Sequence, residues 1–147
     1  MTRIIITLLV SILSLLVNAQ ESQQVLSNLE KGIDIAVSVN NITSNKGKVY
    51  FTLYSSKDNF YQRVAFSKET GEIKENSTRI IFSNVPKGTY AIICFHDAND
   101  NNQMDFDGYM PVEDYGTSNN SRSMGPPQFE PAKFEVVDVD LKFEIIF

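Results

Sequence analysis

Oxygen-bearing side chains recur at every second position in His96-Asp-Ala-Asn-Asp-Asn-Asn-Gln-Met-Asp-Phe-Asp107: Asp97, Asn99 and Asn101, then Asp105 and Asp107. A hard cation such as Ca²⁺ takes roughly six to eight oxygens at short range, and a tight loop offering alternate side chains supplies them. The opening D-x-[DN]-x-[DN] matches the first half of an EF-hand-type calcium loop. The candidate metal ligands are therefore Asp97, Asn99, Asn101, Gln103 through its main-chain carbonyl, and Asp105. The second half of the loop departs from that pattern. Asn102 stands where Gly is usual, a mild change because Asn tolerates left-handed backbone. Gly108 stands where a bidentate Glu belongs, so the last ligand has to come from further along, with Glu113 and Asp114 nearest. The same run also suits an Asx-rich surface turn whose side chains bond their own backbone. The spacing leaves both readings open.

His96 is the only histidine, so histidine-based catalysis has to run through it. A hydrolase would bring Ser118, Ser121 or Ser123 to the ring, with Asp105 or Glu113 behind it. Adjacent Asp97 cannot easily orient the ring, because neighbours on a strand point to opposite faces. The favoured expectation is instead a strand-end histidine that donates to a loop carbonyl and anchors the Asp97 turn. One His and one Cys do not make the nitrogen- and sulfur-rich set that zinc prefers. Tyr109, Glu113, Tyr115 and Asn119, with Asn120 and Phe129 nearby, offer rings beside polar groups and are candidate residues for a glycan or protein ligand. The same rings also serve to pin a Gly- and Pro-rich loop to its scaffold.

The elements that must position these residues read as strands. Ile33, Ile35, Val37 and Val39 alternate with Asp34, Ala36, Ser38 and Asn40, and Val49, Phe51 and Leu53 alternate with Tyr50, Thr52 and Tyr54. Period two predicts half-buried strands, here joined as a hairpin through Ser44-Asn-Lys-Gly47. Arg79 to Phe82 is a third short strand, and Asn84-Val-Pro-Lys-Gly88 a turn. Thr89 to His96 is a near-continuous apolar run of the kind that fills the middle of a sheet. In it Ala91, Ile93 and Phe95 share one face and Tyr90, Ile92 and Cys94 the other, with Phe95 expected to be a buried aromatic. Lys133 to Val137 and Leu141 to Phe147 close the domain. Lys57 to Asn76 is an insertion, read as a short helix or a crossing loop, and Asp97 to Pro131 is a long irregular connection, a kind that is usually functional. The fold expected is all-β: a single antiparallel β-sandwich, immunoglobulin-like or transthyretin-like, of about seven strands with one loop-rich insertion.

Composition narrows the functional classes. Arg3, the apolar stretch Ile4 to Val17 and the small-residue end Val17-Asn18-Ala19 read as a signal peptide over 1–19, followed by a polar leader over 20–32 and the domain over 33–147. An exported chain, periplasmic, cell-surface or secreted, is expected, with no membrane span in its mature form. Losing Arg3 takes the formal charge from −5 to −6. Lys and Arg are scattered, which argues against nucleic acid as a partner. Cys94 is the only cysteine, so no internal disulfide supports the domain, and its apolar surroundings predict a buried hydrophobe.

Several ordered motifs carry a resemblance. The block Phe82-Ser-Asn-Val-Pro-Lys-Gly-Thr-Tyr-Ala-Ile-Ile-Cys-Phe-His-Asp97 comes first, followed by Gly108-Tyr-Met-Pro-Val-Glu-Asp-Tyr-Gly-Thr-Ser-Asn-Asn120 and then Gly125-Pro-Pro-Gln-Phe129 with Ala132. Together they resemble a bacterial exported family, domain of unknown function 2141, from about Ile33 to Phe147. Here one extra residue lies between Gly108 and Pro111, and Asn102 replaces the family's usual Gly. The resemblance implies a β-sandwich behind a signal peptide and assigns no activity. Val85-Pro-Lys-Gly-Thr-Tyr90 is also similar to the turn-then-strand of transthyretin-like and carboxypeptidase-regulatory-like modules, which are usually accessory or binding domains. A binding or accessory module with a calcium loop is thus the leading expectation, with a His96 hydrolase and a structural envelope or surface protein as alternatives.

Overall fold

The alternation in β1 (Ile33–Val39) buries Ile35, Val37 and Val39 completely and leaves Asp34 in solvent. In the computed structural model, which describes residues 32–121 and 125–147, this strand is the centre of a three-stranded sheet between β10 (Leu141–Ile145) and β4 (Thr78–Val85). The second sheet runs β3 (Ser67–Glu72), β2 (Lys48–Tyr54), β5 (Gly88–Asp97), β8 (Tyr115–Thr117), and β9 (Phe134–Val136) also pairs with β5. A small hairpin of β6 (Phe106–Asp107) and β7 (Met110–Pro111), helices α1 (Lys57–Tyr61) and α2 (Phe129–Ala132), and one 3₁₀ turn (Ser118–Asn120) complete the described residues. The segment 1–19 expected to be a signal peptide, residues 20–31 of the expected leader, and Ser123 lie outside them.

Inward side chains of the two sheets meet in one core. Ile35, Val37 and Val39 with Ile80, Phe82 and Ile145 face Val49, Phe51 and Leu53 with Tyr90, Ile92 and Cys94. This is the expected β-sandwich, held by burial. Cys94 is fully buried, and its desolvation pushes the thiol far above its ordinary pKa. A smaller cluster lies on the outer face of the second sheet, where Phe60 of α1 and Phe129 and Ala132 of α2 cover Tyr54 and Ala91. β5 therefore buries Tyr90, Ile92 and Cys94 inward and Ala91 outward, in the register that the sequence predicts.

Four features differ from the sequence expectations. β1 and β2 do not form a hairpin: they belong to different sheets, and the segment through Ser44–Gly47 crosses between them. Both strands carry a strongly apolar face, and crossing lets each face cover the other. β1 and β10 run parallel, with Ile35 opposite Leu141 and Val39 opposite Ile145, whereas the other strand pairs are antiparallel. The 57–76 insertion holds a helix and then a polar edge strand, β3, in which only Gly71 is buried. Phe95 is half-buried on the outer face, its ring stacked on Tyr50 with centroids 5.5 Å apart, because its parity in β5 turns it away from the core.

Candidate functional site

β5 delivers His96 and Asp97 to one end of the sandwich. Its alternation turns His96 toward the core, where the residue is only 3% exposed. The ring's Nε2 donates to the main-chain carbonyl of Lys46, 2.7 Å away, a partner that can only accept. The main-chain N–H of His96 donates to the Asp114 carbonyl at 2.9 Å. Gly47, with φ of +70°, lies so close to β5 that a Cβ there would stand 1.8 Å from the Asp97 carbonyl oxygen. Thr43 Oγ1 donates to Asp114 Oδ2 at 3.1 Å, a second tie from the β1–β2 crossing to the far end of the loop.

Asp97 is fully buried and organises the loop that begins at it. Its Oδ1 accepts from the Asn101 N–H at 3.1 Å and its Oδ2 from the Asn102 N–H at 2.7 Å. Asn99 Oδ1 accepts from the Asn101 N–H at 3.1 Å, and Asn101 Oδ1 from the Gln103 N–H at 2.9 Å. The alternate side chains thus wind the backbone into consecutive Asx turns. Asp100 and Asn102 take left-handed φ values of 61° and 64°, Asn102 standing where a calcium loop usually has Gly. Asn102 Oδ1 also accepts from Tyr50 Oη, which fastens the loop to the outer face of β2. Asp105 gathers donors: Asn99 Nδ2 reaches its Oδ2 at 2.7 Å, and Asn101 Nδ2 reaches both oxygens at 3.0 and 3.1 Å.

Glu113 returns to the loop after the β6–β7 hairpin. Its Oε2 accepts from the Asp105 N–H at 3.2 Å. Its Oε1 is shut off from solvent without a hydrogen-bond partner, although the residue as a whole is only half-buried. Burial raises the Glu113 carboxyl above its ordinary pKa, and the negative charges of Asp97 and Asp105 push the same way. Main-chain N–H groups at Asp105 and Ala98 oppose the shift. Of the two residues that the sequence offers as a last ligand, Glu113 faces the loop. Asp114 is exposed and bonded to Thr43. Among the described residues, no group of three or more His, Cys, Asp and Glu side chains is gathered as a ready metal cage. The loop's remaining oxygens belong to Asn amides and the Gln103 carbonyl.

The other sequence-derived candidates are dispersed. Tyr109 is 89% exposed at the hairpin tip. Tyr115 donates its Oη to the Gly125 carbonyl at 2.7 Å. Asn119, at φ of 69°, donates its amide to the carbonyls of Lys133 at 2.9 Å and Pro131 at 3.3 Å, and Asn120 bonds Ile146 N–H and the Glu144 carbonyl at 2.8 Å each. Ser118 is fully buried: its Oγ accepts from the Ile92 N–H at 2.9 Å and donates to the Ala132 carbonyl at 2.5 Å. Ser121 shares a hydrogen bond with Thr117 at 3.0 Å. Among the described residues, neither a serine hydroxyl nor a carboxylate is hydrogen-bonded to the His96 ring, so neither Ser118 nor Ser121 is paired with it. Lys46, Gly47 and Tyr50 are the contributors that sequence spacing missed. They reach the loop across strand pairings and have no local signal of their own.

Glu113 and Tyr115 line a groove of about 490 Å³ with Asn120, Pro127, Ile146 and Phe147. Tyr109 and Asn119 are outside it. A larger groove, about 990 Å³, runs over polar residues of β1, β3, β4 and β10 and contains none of the candidates. Among the described residues no helix is long and apolar enough to cross a membrane.

A two-sheet β-sandwich with an Asx-wound acidic loop at the end of its central strand is the class that this geometry defines. The family described as an uncharacterized protein conserved in bacteria (DUF2141) matches over residues 37–143, and the chain belongs to it. No curated protein and no solved structure matches the chain.

Proposed function

We propose that this chain is an exported β-sandwich binding or accessory module that takes one calcium ion in the Asp97–Glu113 loop. The observation that carries the metal is Glu113 Oε1, a buried carboxylate oxygen without a hydrogen-bond partner. The same residue's Oε2 is bonded to the Asp105 N–H, and its carboxyl is raised in pKa by burial and by the charges of Asp97 and Asp105. Like charges at close range disfavour ionisation, and a cation among them reverses the sign of that interaction. Asn99 and Asn101 now turn amide N–H groups toward Asp105. A half-turn of each amide would replace these donors by oxygens, in exchange for the bonds that Asn99 Oδ1 and Asn101 Oδ1 now accept from the Asn101 and Gln103 N–H groups. With Asp97, the Gln103 carbonyl, Asp105 and Glu113, the set then reaches the ligand number and oxygen chemistry of Ca²⁺, and its mixture of charged and neutral donors suits a flexible site better than the strict octahedron of Mg²⁺. Bound there, the ion would supply charge neutralisation and hold the 97–113 segment to the strand end.

Export rests on Arg3, the apolar stretch Ile4–Val17 and the Val17-Asn18-Ala19 end, and mass spectrometry of the mature protein should find Gln20 at its N-terminus. The groove beside Glu113 and Tyr115 supports a small glycan or peptide ligand next to the metal. The test of the metal is thermal unfolding in EDTA, in millimolar Ca²⁺ and in millimolar Mg²⁺. Stabilisation scales with the logarithm of ligand excess, about 2.7 kcal/mol at a hundredfold excess over Kd. Identical curves in EDTA and Ca²⁺ would overturn the calcium reading.

A further inference from the structure

Asp97 is held in place from outside its own loop. The preceding His96 ring, on the core-facing side of β5, is buried and donates to the Lys46 carbonyl at 2.7 Å. Gly47, in the left-handed backbone that suits glycine, lies against the Asp97 carbonyl with no room for a Cβ. Asp97 pairs with Lys48 where β2 and β5 meet. At the other end of the loop, Asp114 is tied to the same β1–β2 crossing by Thr43 and to His96 through its carbonyl. The residues next to the first and last proposed ligands therefore both answer to one turn, which contributes no ligand itself.

We propose that the β1–β2 turn, acting through His96 and Gly47, is the positioning element of the metal loop. It sets where Asp97 stands and hence where the Asn101 and Asn102 N–H groups and the other loop oxygens fall. This role rests on calcium binding in the Asp97–Glu113 loop. Partners that orient ligands without touching the metal typically change affinity by roughly 10–100-fold when removed. His96 acts here as a hydrogen-bond donor and structural strut, not as a ligand and not as a base.

The experiment is calcium titration by calorimetry on the full chain, paired with amide hydrogen exchange on the metal-free protein. His96→Leu keeps the volume and loses the donor, His96→Gln keeps an N–H of similar reach, and Gly47→Ala crowds the Asp97 carbonyl. Cys94→Ala is a control that loosens the core without touching the turn. The expected result is about tenfold or greater weakening of calcium binding in His96→Leu and Gly47→Ala, substantial recovery in His96→Gln, and at most about twofold change in Cys94→Ala. Without metal, exchange at the Asn101 and Asn102 N–H groups should quicken in His96→Leu and Gly47→Ala beyond any change in Cys94→Ala. If those two variants unfold at lower temperature yet keep wild-type affinity and wild-type exchange, the positioning role is overturned and the metal site stands. If the wild type takes no calcium while the exchange pattern tracks the turn variants, the calcium reading fails and the turn's hold on Asp97 is upheld.

Discussion

At its Gly88 end, β5 is sealed by hydrocarbon: Ala91 lies under Tyr54, Phe60, Phe129 and Ala132, with Ser118 satisfying the buried Ile92 N–H. At its Asp97 end the same strand is closed by carboxylates and amides that bond one another and the backbone. The first closure is complete in itself, because apolar contact leaves nothing unpaired. The second leaves a remainder, a buried Glu113 oxygen without a hydrogen-bond partner, on a carboxyl whose ionisation the charges of Asp97 and Asp105 disfavour. One strand thus carries a sealed apolar end and a polar end where the proposed cation would sit.

Substitutions can break this contrast at different depths. The largest expected effect belongs to the shared core: Phe51→Ala, at a fully buried ring, should cost roughly 3–5 kcal/mol in urea unfolding, equally in EDTA and in calcium. Next is the sealed end. Ser118→Ala orphans the buried Ile92 N–H and should cost about 1–3 kcal/mol, again regardless of metal.

Phe95→Ala should lose less than Phe51→Ala, about 1–2 kcal/mol, since its ring is half-buried and stacked on Tyr50. Asp97→Ala should cost a similar amount, about 1–2 kcal/mol, even in EDTA, as for the loss of a capping carboxylate, because both of its oxygens hold backbone N–H groups. In calcium it should additionally abolish any metal-induced rise in Tm.

The smallest stability change, and the sharpest discrimination, belongs to Glu113→Gln. Burial raises the Glu113 carboxyl above its ordinary pKa in the fold. In EDTA its contribution therefore falls as pH rises through that raised value, since the fold favours the protonated form. Calcium affinity runs the other way and falls as pH drops through the same window, because the ligand must be ionised. Glu113→Gln should match or slightly exceed the wild type in EDTA at neutral pH, flatten the pH dependence, and lose the calcium shift. Tm measured against pH with and without calcium checks all three. A Glu113→Gln protein that keeps the full calcium shift would place the last ligand elsewhere.

The strands with alternating apolar residues, β1, β2 and β10, were legible because period two is a face pattern, and β5 because a continuous apolar run suits the middle of a sheet. Pairing was not: alternation is the same whether a neighbour runs parallel or antiparallel, so β1–β10 and the crossing between β1 and β2 had no signature. β3 was hidden by its polar edge composition, Ser67-Lys-Glu-Thr-Gly-Glu72, and β8 by having only three residues. Within the site, the Asp97-to-Asp105 spacing was readable because its turns are local. The Lys46 carbonyl under His96 comes from a distant strand connection and leaves no mark near the histidine. Asn119 and Ser118 looked like ligand or catalytic residues because sequence shows their polar atoms but not the carbonyls and N–H groups that already occupy them.

The parallel pairing of β1 with β10 also governs when the domain can form. Ile35 finds Leu141, and Val39 finds Ile145, only after every other strand described here has been synthesised. Long-range pairings of this kind defer their reward until a large loop has closed, which places such folds among the slow, millisecond-to-second folders. Until then β1 has an open edge where β10 will lie. A nascent chain in which β10 has not yet emerged would therefore keep that edge of β1 open to any machinery that handles unfolded polypeptide, and the emergence of β10 would close it.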